Sequence, residues 1–157
     1  MKYSEIIAHF ESEEKITKLL TELQPMFDMI DDYAQQFLQG ISTTSEELRD
    51  IKTGLTGIIA TLNPIYSKAL SFKKQKEYRF YVQKKTDCDS GKLQDKDGKA
   101  IKFTDGATGI EAKDSVRDYR DLRDILFGYI KAAESLVYDA KDRIEQNRNE
   151  YRNVKED

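Results

Sequence analysis

KALSFKKQKEYRFYVQKK (residues 68–85) decides how this chain folds. As a helix, it prolongs an apolar stripe that reaches it from Leu48. As a strand, its Tyr78-Arg79-Phe80-Tyr81-Val82 segment, which has high β propensity, leaves that helix and pairs with Ala100-Ile101-Lys102-Phe103. Asp89-Ser90-Gly91 and Asp97-Gly98 supply turn residues between the two. Two local alternatives therefore stand: a small β-hairpin at about 78–104, or a helix followed by an open loop over residues 86–109.

The same stretch is the electrostatic exception in the chain. Lys68, Lys73, Lys74, Lys76, Arg79, Lys84 and Lys85 face one acid, Glu77, and Phe72, Tyr78, Phe80 and Tyr81 lie among them. Residues 1–50 carry a net −7, residues 51–104 a net +7, and residues 105–157 a net −3. Only the middle third is built to meet an anion, and its acidic neighbours are competing partners for it.

Upstream, Leu48, Ile51, Leu55, Ile58, Ile59, Leu62, Ile65, Ala69 and Phe72 recur at helical spacing. A capping box, Thr43 with Glu46 or Thr44 with Glu47, starts this helix, and Pro64 interrupts its pattern. Before it, residues 2–10 read as a short helix with Ile6, Ile7 and Phe10 on one side. Ser12 reads as the N-cap of a second helix with Ile16, Leu19, Leu20, Leu23, Phe27, Ile30, Ala34, Phe37 and Leu38 on its apolar face. Pro25 predicts a kink or break in it and Gly40 its end. Downstream, a long helix is expected from about 108–111 almost to the end, with Tyr119, Leu122, Leu126, Tyr129, Ala133, Leu136 and Ala140 on one face, widened by Ile130, Val137, Ile144 and Tyr151. Thirty-five helical residues span about 50 Å, so this helix needs a long partner, and the one running into the basic stretch is the candidate.

At 157 residues, with 38% apolar and 35% charged residues, the chain reads as one helical domain over 1–157 rather than a compact α/β enzyme. Its parts are acidic N-terminal helices (1–40), a proline-interrupted helix ending in the basic stretch (44–85), a loop or hairpin (86–109) and a long helix (110–152). The expected fold class is all-α, an elongated antiparallel helical bundle. The single cysteine, Cys88, allows no internal disulfide. No signal peptide and no membrane-spanning run is read, so the expected localisation is cytoplasmic.

Catalysis and cofactors are not expected. His9 is the only histidine, and no phosphate-binding glycine motif occurs. Asp87-Cys88-Asp89-Ser90-Gly91 and Asp95-Lys96-Asp97-Gly98 lack the further ligands of a calcium loop. Asp118, Asp121 and Asp124 alternate with Arg117, Arg120 and Arg123, as a solvated salt-bridged face does. In the basic stretch, by contrast, cations suit phosphates and aromatic rings suit stacked bases. On a helix Lys74, Tyr78, Tyr81 and Lys85 share one face, and Lys73, Lys76 and Lys84 another. The alternative is a helix whose lysines are merely solvated or paired with acids.

Residues 55–85, LTGIIATLNPIYSKALSFKKQKEYRFYVQKK, and residues 111–148, EAKDSVRDYRDLRDILFGYIKAAESLVYDAKDRIEQNR, carry a further likeness. In pattern and order of elements the chain resembles the UvsY-type recombination mediators of tailed phages and the small helical proteins encoded near phage recombinases. The likeness lies in the Pro64-Ile65-Tyr66 turn, Lys68, the lysines at 73, 74 and 76, and the Phe80-Tyr81 pair. It contains no catalytic string, and the N-terminal helices have no counterpart in it. The resemblance implies a non-enzymatic, self-assembling helical protein that binds single-stranded DNA and helps load a recombinase onto strands covered by single-strand-binding protein. It implies that Lys73, Lys74, Lys76 and Arg79, with Phe80 or Tyr81, contact the strand, and that the final helix serves assembly. It would place the protein in the host cytoplasm.

The sequence thus predicts a homo-oligomer that binds single-stranded DNA through Lys68, Lys73, Lys74, Lys76, Arg79, Phe80, Tyr81, Lys84 and Lys85. A recombinase or a single-strand-binding protein is its expected partner. The rival reading is a helical structural or adaptor protein, a phage virion component or an inhibitor of a host factor, with no nucleic-acid affinity.

Overall fold

The computed structural model describes Phe10, residues 12–40 and residues 43–153. The fold is all-α: α1 (Glu13–Leu38), α2 (Ser45–Asp89), α3 (Asp105–Asp114) and α4 (Arg117–Asn153). The helix read over residues 2–10 lies outside the described residues except for Phe10, and so does His9.

The helix ends follow local chemistry. The Lys15 N–H donates to Ser12 Oγ (3.4 Å) and caps α1. α2 opens on a capping box: the Glu47 N–H donates to Thr44 Oγ1 (3.2 Å), and the Thr44 N–H donates to Glu47 Oε2 (2.8 Å). α2 closes where Gly91 takes φ 69°. There the Gly91 N–H reaches the Cys88 carbonyl and the Lys92 N–H the Asp87 carbonyl, both at 3.0 Å, a Schellman closure that needs a left-handed residue. Neither proline ends its helix: α1 runs through Pro25 and α2 through Pro64. Buried Leu23 and Phe27 flank the first and buried Leu62 and Ile65 the second, so packing on both sides holds the helix where propensity argues for a break.

The apolar stripes of α1, α2 and α4 form one cluster. Side-chain contacts set the directions. Asn147, near the end of α4, donates to the Thr43 carbonyl before α2 begins, whereas Tyr119, near the start of α4, meets Lys76 late in α2. α2 and α4 are therefore antiparallel. Phe10 packs near Tyr119, Phe27 on Tyr129, and Arg143 donates to the Phe37 carbonyl, so α1 runs parallel to α4. The predicted pairing of the two long helices is the main packing seam.

Of the two local alternatives the helix is the one formed, and one expectation, the continuous last helix, is corrected. Residues 78–82 remain helical inside α2, and no hairpin with residues 100–103 forms. The only β-type pairing among the described residues is an isolated bridge between Gln94 and Ala100. In the helical form Tyr81 and Lys84 meet Asp105 and Glu111 on the segment packed beside them. The last helix is also not continuous from about 108. α3 stops at Asp114, Ser115 Oγ donates to the Ala112 carbonyl (2.8 Å), and α4 begins at Arg117 with Val116 buried at the joint. The break lets α3 lie against α2 while α4 follows the core.

α2, at 45 residues, spans about 67 Å, while the 26 residues of α1 span about 39 Å. The surplus sets the position of the site. The buried residues of α2 run from Leu48 to Ala69, then none is buried until Cys88. The basic stretch is thus the part of α2 that outruns the three-helix core, with α3 packed beside it.

Leu62 is fully buried at the α2 seam. Leu62→Ala should lower unfolding free energy by about 2–5 kcal/mol in a urea titration followed by circular dichroism. Hydrogen bonds from the Thr44 N–H, then from its hydroxyl, hold the Glu47 carboxyl below its usual pKa. Its contribution is present above the unfolded carboxyl range and is lost as pH falls through the folded value. The thermal midpoint gap between the wild type and Glu47→Gln should be widest near neutral pH and close on acidification; a gap that widens in acid contradicts this.

Candidate nucleic-acid interface

Helical geometry distributes the predicted residues around α2 rather than on one surface. Lys73 is spent on its own helix, 3.4 Å from the Glu77 carboxylate one turn later. Lys76 is exposed, and its ammonium leans onto α4: its Nζ donates to Tyr119 Oη (2.6 Å) and sits 4.4 Å from the centre of that ring. Tyr119 Oη in turn donates to the Phe10 carbonyl (2.7 Å), so Lys76 closes a polar chain over the core. Lys84 reaches Glu111 of α3 at 2.7 Å, and this hydrogen bond raises the ammonium pKa. Lys68 is half-buried and already engaged within the fold. Phe80 is half-buried.

Tyr81 is fixed rather than free. Its hydroxyl donates to the Asp105 carboxylate, which raises the phenol pKa, and its ring meets Phe103 edge-on at 5.5 Å. Lys85 is exposed and lies 5.9 Å from the centre of the same Phe103 ring. Lys74 and Arg79 are exposed and make no ion pair among the described residues. They point apart, because five residues on an α-helix turn the side chain well over a quarter of the way round. None of Lys73, Lys76 and Arg79 meets Asp28, Asp31 or Asp32 among the described contacts; Asp31 instead accepts from Tyr129 Oη (3.1 Å).

The structure brings together a different set. Lys74, Glu77, Tyr78 and Tyr81 of α2 and Gly109, Ala112 and Lys113 of α3 line a groove of about 310 Å³. Gly109, Ala112 and Lys113 stand at i, i+3 and i+4, hence on one face of α3. The first two are too small to fill the space between the helices. Tyr78 is 69% exposed at the rim. Sequence reading placed Lys74, Tyr78, Tyr81 and Lys85 on one helical face but missed Lys113 and the small residues of α3. Their signal was the GATGIEAK spacing (residues 106–113), visible only once a partner helix is known.

Residues 73–114 hold eleven basic and eight acidic side chains, a net +3 in a chain of net −3. Several of the acids are already engaged: Glu77 with Lys73, Asp87 with Gln83 and Lys92, Asp105 with Tyr81, and Glu111 with Lys84. Asp95 turns its carboxylate onto the N–H groups of Asp97 and Lys99, both at 2.9 Å, an Asx-type turn rather than a cation loop. Among the described residues no three His, Cys, Asp or Glu side chains converge as a metal site would need, and no helix is long and apolar enough to cross a membrane. No protein-family model, curated protein or solved structure matches the chain.

The geometry separates two lysines that stand two residues apart in the sequence. Lys76→Ala should destabilise the fold by on the order of 1 kcal/mol, through the lost ring contact and hydrogen bond to Tyr119. Lys74→Ala should leave the urea midpoint unchanged. Equal midpoints for the two variants would contradict a stabilising contact between Lys76 and Tyr119.

Proposed function

We propose that this chain binds single-stranded nucleic acid, non-enzymatically, through the end of α2 that extends past the core. We further propose that it acts as a self-assembling mediator in phage-type recombination or replication, loading a recombinase on strands held by single-strand-binding protein. The observation that carries the binding reading is the unburied run of α2 between Ala69 and Cys88. It holds Lys74, Arg79, Lys85 and the exposed Tyr78 where a polyanion can reach them. The mediator role rests on the resemblance of residues 55–85 and 111–148 to the UvsY-type proteins. Self-assembly is supported by exposed apolar side chains along α1 and α4, among them Leu38 (87% exposed), Phe127 and Tyr138. Several copies side by side would turn weak individual contacts into strong binding.

The contact set is smaller than the sequence prediction. Lys74, Arg79 and Lys85, with Lys113 from α3, are exposed without an ion pair among the described residues and are the contacts proposed for phosphates; Lys73, Lys76 and Lys84 already have partners within the fold. With four phosphates neutralised, affinity for a single strand falls about fiftyfold between 50 and 200 mM salt. Fluorescence anisotropy of a labelled oligonucleotide at those two concentrations tests this. No binding at the lower one sinks the proposal and leaves the structural or adaptor reading. Arg79→Glu should weaken binding at constant helical circular dichroism.

A further inference from the structure

The groove between α2 and α3 brings exposed cations, an aromatic ring and apolar space together. We propose that it is a nucleotide subsite in which the base enters between Tyr78 and the small residues of α3, with the adjoining phosphates held by Lys74 and Lys113. This rests on the reading that the end of α2 meets single-stranded nucleic acid, and it names how one nucleotide of the strand is held.

The lining selects the occupant. A volume of about 310 Å³ lies at the lower end of the range for pockets that take small organic groups, enough for one nucleotide unit. Gly109 leaves open space, since a Cβ built there would meet nothing within 4 Å. Tyr81 forms a rigid wall, because Asp105 holds its hydroxyl and Phe103 its ring. Tyr78 has no ring partner among the described residues and is 69% exposed, so its face is available for stacking. Lys74 precedes Tyr78 by one turn, and Lys113 faces it from α3.

Glu77 gives the orientation. Its carboxylate is half-buried in the wall and repels a phosphate from the interior, although Lys73 offsets part of its charge. The phosphates therefore stay at the lysine rim and the uncharged base goes inward. An acidic peptide would satisfy the two lysines but offers no planar face for Tyr78 and no reason for the apolar space. Recognition by stacking tolerates any base, so little sequence preference is expected.

The test compares an oligothymidylate with an abasic strand of equal length, which has the same phosphates and no bases, on the unmodified protein at 50 mM salt. The abasic strand should bind about fivefold or more weakly. Tyr78→Ala should remove that difference and Tyr78→Phe keep it. The paired Lys74→Ala and Lys113→Ala substitutions should reduce the slope of log affinity against log salt by about 1.4. Abasic and normal strands binding equally overturns the subsite while leaving phosphate binding intact. Neither strand binding overturns the underlying reading and the subsite with it. An unchanged salt slope, or a polyglutamate peptide competing as well as the oligonucleotide, also overturns it.

Discussion

Leu55, Leu62 and Ile65 of α2 and Leu126, Ile130 and Ala133 of α4 belong to one apolar cluster that runs along the two antiparallel helices, with α1 closing its third side. Burying these side chains is the favourable term against which the order of such long helices is set. A seam of this kind is linear, so each helix contributes length as well as area. Where α1 and α4 begin, near Phe10 and Tyr119, the shared core stops. Whatever remains of α2 beyond Phe72 must find other partners.

The overhang finds polar ones. Tyr81 to Asp105 and Lys84 to Glu111 tie α3 and its approach to the end of α2, and Phe103 packs on Tyr81. These contacts are solvent-exposed, and such ion pairs contribute little stability individually. The end of the molecule is held by a net of weak contacts, while the middle is held by a dry core. That division suits a binding end, because residues not committed to the core leave cations and a tyrosine ring available for a ligand.

The arrangement also explains why a dense basic run does not behave as one patch. Seven cations on eighteen helical residues point around the whole circumference. The sector towards α4 is taken by Tyr119, the lateral sector by α3, and what is left divides into Arg79 on one side and the Lys74–Tyr78 groove on another. Local charge density in a sequence therefore overstates the charge that a single strand could meet at once.

Much of the fold was legible in the sequence because its determinants are local or periodic. Ser12 and the Thr44–Glu47 pair sit beside the backbone groups they cap, and stripes such as Leu48 to Ala69 declare a buried face through spacing alone. The strand alternative for residues 78–82 arose because β-branched and aromatic propensity is a weak prior, and contacts from a distant segment overrode it. The extension of α2 past Pro64 was decided in the same way, by packing on both sides of the proline. The candidate site was half legible. Periodicity gives each lysine an angle around its helix, but the sector that becomes covered depends on where α3 comes to lie, and that depends on the break at Ser115 and Val116. The sequence by itself determined that a helical stripe runs on to Phe72 and that residues 68–85 are strongly basic. Only the tertiary structure decided that Lys76 leans onto Tyr119, that Lys84 ties α3, and that Lys74 and Tyr78 are left open, because those outcomes rest on contacts between residues far apart along the chain.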